Sequence, residues 1–287
     1  CLPKTAWPPT LYLTFRILDI ADLTVDGSLG TGGAVCIMLM LSGQNVWVAM
    51  AGATAAGMAA GLATGILHTF MGIPAILAGI LTQLGLYSIN LKTMGKANQA
   101  INVDKYDLLV SLRFIRKVPF YKNTILIVAI AIILLIVVLY WFFGTELGCS
   151  LRATGCNDKM ARAQGINTDF NRVLGLMISN GLVALSGAML CQYQGFADIN
   201  MGRGAIVIGL AAVIIGEAIF GKVFRNFGFK LLAVALGSII YYLVLQVVIW
   251  LGIDTDLLKL LSAGVVAVFL AIPTWKSRYF SNMGKRG

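Results

Sequence analysis

From Gly27 to Leu91 the chain runs for sixty-five residues without one Lys, Arg, Asp or Glu. A soluble fold has no use for such a tract, because its helices and strands need a charged or polar face to give to water. One bilayer crossing takes about 20 apolar residues, so the tract is also too long for a single span and must fold back on itself. Glycine and proline mark the reversals. Ser42-Gly-Gln-Asn reads as one turn and Gly72-Ile-Pro as a tighter one, leaving a short piece, Gly30–Leu41, then Val46–Phe70 and Pro74–Leu91. Gly30–Leu41 is too short to span alone. It is expected as a broken or re-entrant helix, a form tolerated at membrane depth only where protein or a water-filled cavity covers it.

The rest of the chain repeats the pattern. Thr124–Phe143 and Val173–Tyr193 carry no charge, and Ala205–Phe220, Leu231–Gly252 and Leu257–Thr274 add further apolar segments. Charged residues make up 12% of the chain, about half the share found in soluble domains. The expected fold is therefore all-α, a polytopic transmembrane bundle of about seven to eight membrane segments, with the short broken helix near the N-terminus. Residues 1–10 form an atypical N-terminal stretch, 11–275 the transmembrane domain, and 276–287 a basic tail. Tyr12–Leu23 is apolar on balance but short, and it holds Arg16, Asp19 and Asp22.

The net charge of +10 belongs to loops rather than to a nucleic-acid surface, since no basic face is interleaved with aromatics. Such loops meet anionic membrane lipid on the inner side. Arg152, Lys159, Arg162 and Arg172 cluster between two spans, and Lys276, Arg278, Lys285 and Arg286 crowd the tail. Both are expected on the cytoplasmic side. Lys92–Lys122 runs against this rule, because it holds seven basic residues yet falls outside if Thr124–Phe143 crosses once. Within it, Leu108, Leu112 and Ile115 share a helical face that suits the membrane surface. His68 is the only histidine, and the five cysteines show no Cys-x-x-Cys spacing, so free thiols are expected and no metal site.

A second polar island between two uncharged spans is Gly148–Arg172. Asn157 can cap a short helix there, Asp158 suits its first turn, and Gly165 can close it in a left-handed turn. Met160 and Ala163 share one face, Lys159 and Arg162 another. The segment is either offered to something in the aqueous phase or is an ordinary solvated loop. Elsewhere, Ala49, Ala53, Gly57, Gly61 and Gly65 recur every four residues and make a stripe for close helix packing. Asp26 and Ser28, beside the short segment, are candidates for lining a transport pathway, as broken helices gather ligand sites. The alternative for Asp26 is an exposed acid at a helix boundary. Thr82, Gln83 and Asn180 fall mid-span and serve either as interhelical hydrogen bonds or as lining. Glu217 reads as an interfacial acid. Gly216–Lys222 approaches a P-loop but is followed by Val223 in place of the metal-binding hydroxyl and closes an apolar span, so no nucleotide site is expected in this chain.

Leu151-Arg-Ala-Thr-Gly and Ala161-Arg-Ala-Gln-Gly-Ile-Asn resemble the coupling segment of ABC-importer permeases of the branched-chain amino acid and ribose type. Leu23-Thr-Val-Asp-Gly-Ser, the run from Ser179 to Ala188, and Gln192-Tyr-Gln-Gly-Phe-Ala-Asp extend the resemblance, which spans about Tyr12 to Pro273 and is nearest to a tryptophan/tyrosine transport subgroup. It implies a permease subunit in the bacterial inner membrane, multi-pass with its C-terminus cytoplasmic. The subunit would move a small polar solute, an amino acid such as tryptophan, tyrosine or a branched-chain one, by alternating access. It implies three partners: a separate ATPase that binds the ATP and Mg, a second permease subunit in a homodimer, and an extracytoplasmic solute-binding protein. Arg152, Ala153, Asn157, Met160, Ala161, Arg162 and Gly165 would then engage the ATPase, with Ala161 on the contact face and Asn171→Ala, beyond the helix, mild. No catalytic, cofactor or metal residue is expected. A stand-alone secondary transporter or channel is the alternative, although the long spans hold few of the acids a coupling ion needs. A membrane enzyme would need paired catalytic groups.

Overall fold

The computed structural model describes residues 8–101, 124–221 and 226–250, with positions 263, 264 and 267. A short helix α1, Pro8–Tyr12, continues as a π-helical turn, Leu13–Ile17, and the backbone is then irregular up to Leu23. There follow α2 (Thr24–Leu41), α3 (Val46–Thr69), α4 (Ala75–Met94), α5 (Thr124–Phe143), α6 (Glu146–Cys156), α7 (Asp158–Ala163), α8 (Thr168–Gln194), α9 (Ala205–Phe220) and α10 (Phe227–Trp250). Six of these, α2, α3, α4, α5, α8 and α10, contain stretches long and apolar enough to cross a membrane; α9, at sixteen residues, is shorter. Most of Leu257–Thr274, the Leu108–Ile115 face and the whole tail lie outside the described residues. The fold is a helical membrane bundle. The break near the N-terminus falls earlier than Gly30, because Gly30–Leu41 is continuous with Thr24 in one eighteen-residue helix.

Two helices form the centre. Two-thirds of the apolar window of α2 and of α8 is buried, against 28% or less for α3, α4 and α5. Small residues bring the backbones together. A Cβ on Gly32 would collide with the Ala184 carbonyl, and one on Gly187 with the Leu29 carbonyl, so α2 lies against α8 with no side chain between them. The α3 stripe does the same on another side of α8. Gly57 meets Ala184 and Asn180, Gly61 the Leu176 carbonyl, and Gly65 the Val173 side chain. Ser28 at Asn180 and Cys36 at Gln192 order α2 parallel to α8, and the glycine stripe runs α3 antiparallel to it. α4 covers α2, with Gly79 against Leu23 and Gly27 against Leu86. α9 and α10 cross at Gly216 and Gly237, and α5 meets α10 through Phe143 and Phe227, with ring centroids 5.1 Å apart.

At one end of the bundle, left-handed Gly95 and Gly195 close α4 and α8 (φ 66° and 77°). The chain then forms a two-stranded antiparallel ribbon, β1 (Asn98–Ala100) with β2 (Phe196–Asp198), in register Gln99 to Ala197. The opposite end carries α6 and α7. If the glycine contacts carry the packing, Gly61→Leu should lower the melting temperature of the detergent-solubilised protein, since overpacking costs about 1–3 kcal/mol. Gly85→Ala is the control. Nothing lies within 4 Å of its would-be Cβ, so that variant should melt at or slightly above the parent temperature.

Candidate coupling and translocation sites

The polar island folds as two short helices that meet at Asn157. Its backbone there is extended (φ −160°, ψ 100°), and its side chain accepts from the Met160 N–H at 3.1 Å, which caps α7. At the other end the Ile166 N–H donates to the Ala161 carbonyl at 3.1 Å and the Gly165 N–H to the Arg162 carbonyl at 3.0 Å. With Gly165 at φ 80° this is a Schellman close. Around it sits a charge cluster. The Arg162 guanidinium donates to the Thr168 hydroxyl and to Asp169, both at 2.7 Å, and lies 3.5 Å from Asp158. Arg172 reaches the same Asp158 oxygen at 3.3 Å. Arg152 stacks over the Phe227 ring at 5.3 Å, and Ala153 beside it is half-buried.

What α7 leaves outward is Lys159, Met160, Arg162 and Ala163, with Phe170 of α8 also exposed. Two expectations change here. Ala161 is not on a contact face: it is 3% exposed and points into the bundle, so it supports the helix from beneath. Asn171, where substitution is expected to be mild, is a structural tie. It is buried, its amide donates to the Thr154 hydroxyl at 2.9 Å, and its carbonyl accepts from Ser150 at 3.3 Å, tying α6 to α8.

A second polar group lies deep between α2, α3, α4 and α8. The Asn180 amide donates to Asp22 at 2.6 Å and to the Leu176 carbonyl at 3.0 Å, while its oxygen accepts from Ser28 at 2.6 Å. The other Asp22 oxygen accepts from the Thr24 N–H at 2.9 Å. Thr24, Thr64 and Thr82 form a hydroxyl chain with links of 2.7 and 2.9 Å. Ser28, Thr82 and Asn180 are thus brought together, and Asp22, Thr24 and Thr64 join them. The sequence gives no sign of these last three beyond their polarity in an apolar setting. Gln83 is half-buried, with its Cα alongside Gly27. Asp26 faces away from this group. Its carboxylate accepts from the Gly204 and Ile206 N–H groups, both at 2.9 Å, and so caps α9 from α2. Glu217, at the far end of α9, accepts from Arg16 at 3.0 Å.

Below Asp22, on the α6–α7 side, is a cleft of about 510 Å³. Its walls come from residues 18–21, the α3–α4 turn and the α6–α7 junction. Asp19 in that wall is the one non-glycine residue with positive φ (53°) among those described.

A bundle of long apolar helices packed through glycine, with a buried polar centre and a braced hairpin at one end, is the architecture of a membrane transport component. Residues 10–276 match the model of the branched-chain amino acid transport system permease component family, and the chain belongs to that family. It is 38% identical to the tyrosine transport system permease protein of Clostridioides difficile (strain R20291), over 91% of this chain and 84% of that one. It is 36% identical to an uncharacterized protein of Rickettsia prowazekii (strain Madrid E), over 91% and 90%. It is also 31% identical to the autoinducer 2 import system permease protein LsrC of Yersinia pestis (strain Pestoides F), over 67% of this chain and 54% of that one. No solved structure matches.

Asn171→Ala should lower stability by about 1 kcal/mol, because it removes the tie between α6 and α8 while the Thr154 and Ser150 hydroxyls keep their backbone acceptors. A fall in melting temperature, measured beside an Asn167→Gly variant that loses only a surface cap, is the expected outcome.

Proposed function

We propose that the chain is the permease subunit of an ABC importer for an amino acid, with α7 as the surface on which a separate ATPase pushes. The observation that carries this reading is the build of the α6–α7 hairpin. It is capped at Asn157, closed at Gly165 and braced by Arg162, Arg172 and Asn171, yet it leaves Met160, Lys159 and Ala163 outward. A solvated loop has no need of such bracing, whereas a segment that must transmit force does. The likeness to a tyrosine transport permease over most of both chains supports an aromatic amino acid as substrate. ATP and Mg belong to the partner ATPase. A second copy of the chain and an extracytoplasmic binding protein complete the importer, and the hairpin and the C-terminus face the cytoplasm. A second reading, a stand-alone secondary transporter, draws on the buried acid Asp22. Uptake that stops on ATP depletion and persists when ion gradients are collapsed favours the importer; the reverse pattern favours the alternative.

Two further outcomes follow. Cys149 and Cys156 are exposed on the hairpin. An impermeant maleimide should therefore label them in inverted vesicles but not from outside intact cells. Gly165 has open space around it, so a substituent there is opposed by backbone strain of about 1 kcal/mol or more rather than by a clash. Gly165→Val should leave expression near normal while ATP-driven uptake falls several-fold. Gly165→Asn, which tolerates the left-handed conformation better, should retain most of it. Equal uptake by both variants would remove the coupling role assigned to this turn.

A further inference from the structure

Asp22 is 3% exposed and sits among α2, α3 and α8. Among the described residues no Lys, Arg or His pairs with it; its partners are the Thr24 N–H and the Asn180 amide. A carboxylate without a countercharge inside a membrane bundle is expensive, and such a residue persists where the working cycle supplies its partner. Around it the polar groups are neutral and can hydrogen-bond: Asn180, Ser28, and the hydroxyl chain Thr24–Thr64–Thr82. The segment that shields Asp22, residues 18–21, is irregular backbone and forms one wall of the cleft that opens toward the α6–α7 hairpin. The cleft thus lies on the side where an importer releases its solute, and the segment that separates it from Asp22 is not part of a regular helix.

We propose that Asp22 is the substrate-ammonium subsite of this permease, with Asn180 and Ser28 as its neutral flank, so that the transported solutes are those carrying a primary amine. This rests on the reading of the chain as an amino-acid permease, and it deepens that reading by naming the group recognised. In the occupied state the ammonium takes the place of the Asn180 amide at the Asp22 oxygen, and residues 18–22 shift to admit it. The Asn180 amide then turns toward the hydroxyls it already borders.

The test uses cells expressing the chain with its transport partners. A hydrophobic carbodiimide, which modifies buried carboxylates, should label Asp22. L-Tyrosine and tyramine should slow that labelling at least fivefold, while 3-(4-hydroxyphenyl)propionate, the same molecule without its amine, should not. In parallel, D22N should lose at least tenfold of labelled L-tyrosine uptake while melting within a few degrees of the parent, and D22E should recover a measurable part. Equal protection by the deaminated compound, or full uptake by D22N, overturns the assignment. If D22N does not fold, carbodiimide protection in the unmodified protein decides alone. Failure of the wild-type chain to import any amino acid would remove the permease reading itself. Normal import with an indifferent Asp22 would remove only this inference.

Discussion

Everything else in the molecule depends on α8 being narrow. Along its length it offers Gly175, Gly181, Ala184, Gly187 and Ala188 to its neighbours, and those neighbours answer with Gly32, Gly57 and Gly61. In a bilayer no hydrophobic force drives helices together, so association comes from close van der Waals contact and interhelical hydrogen bonds. Contact between backbones provides the first and creates the conditions for the second. Only where helices touch this closely can a side chain as short as Ser28 reach Asn180 on the next helix at 2.6 Å.

The buried polar groups follow from that closeness. Thr64 reaches Thr24 and Thr82 because α3 lies near both α2 and α4, and each hydroxyl also has a backbone or side-chain acceptor at hand. Water is absent at such depth, so an unmet donor would cost several times what it costs at a surface. The two acids that open α2 thereby acquire different roles. Asp26 meets the N-terminal amides of α9 and is satisfied by backbone; Asp22 meets only neutral side-chain and backbone donors. Four residues of sequence separate a carboxyl that caps a helix from one buried among neutral side chains.

That difference explains what could be read from the residues alone. Thr124–Phe143 and Ala205–Phe220 coincide with α5 and α9 because composition changes sharply at their ends. The caps at Asn157 and Gly165 were legible because capping is local chemistry. The start of α2 is not legible, since the segment expected to begin at Gly30 begins at Thr24, its glycines held in the helix by α4 and α8 from outside. Ala161, which the resemblance implies is on the contact face, is buried, and a six-residue helix has too little periodicity to show this in sequence. The three-residue strands carry no pattern at all. Asp22 and Asp26 look alike in sequence, and only the depth of their neighbours tells them apart.

The same close packing links the hairpin to the polar centre. Gly155 of α6 has no side chain, and the carbonyl of Ile17 occupies the space a Cβ would need. One residue on, Leu18 fills the gap left by Gly175 on α8. Thr154 is held to α8 by Asn171, and Asp158 is held there by Arg172. A displacement of α7 therefore cannot be absorbed within the hairpin, because α6 is clamped from both sides. The neighbouring segment with least regular structure is residues 18–23, which is tied back to the π turn only through the Leu18 and Ile20 N–H groups and carries Asp22 near its end. Packed interiors switch between discrete arrangements rather than deforming smoothly. If α7 is the surface on which an ATPase pushes, as proposed, the contact of Gly155 with the Ile17 carbonyl is where its movement would reach the segment beside the buried carboxyl.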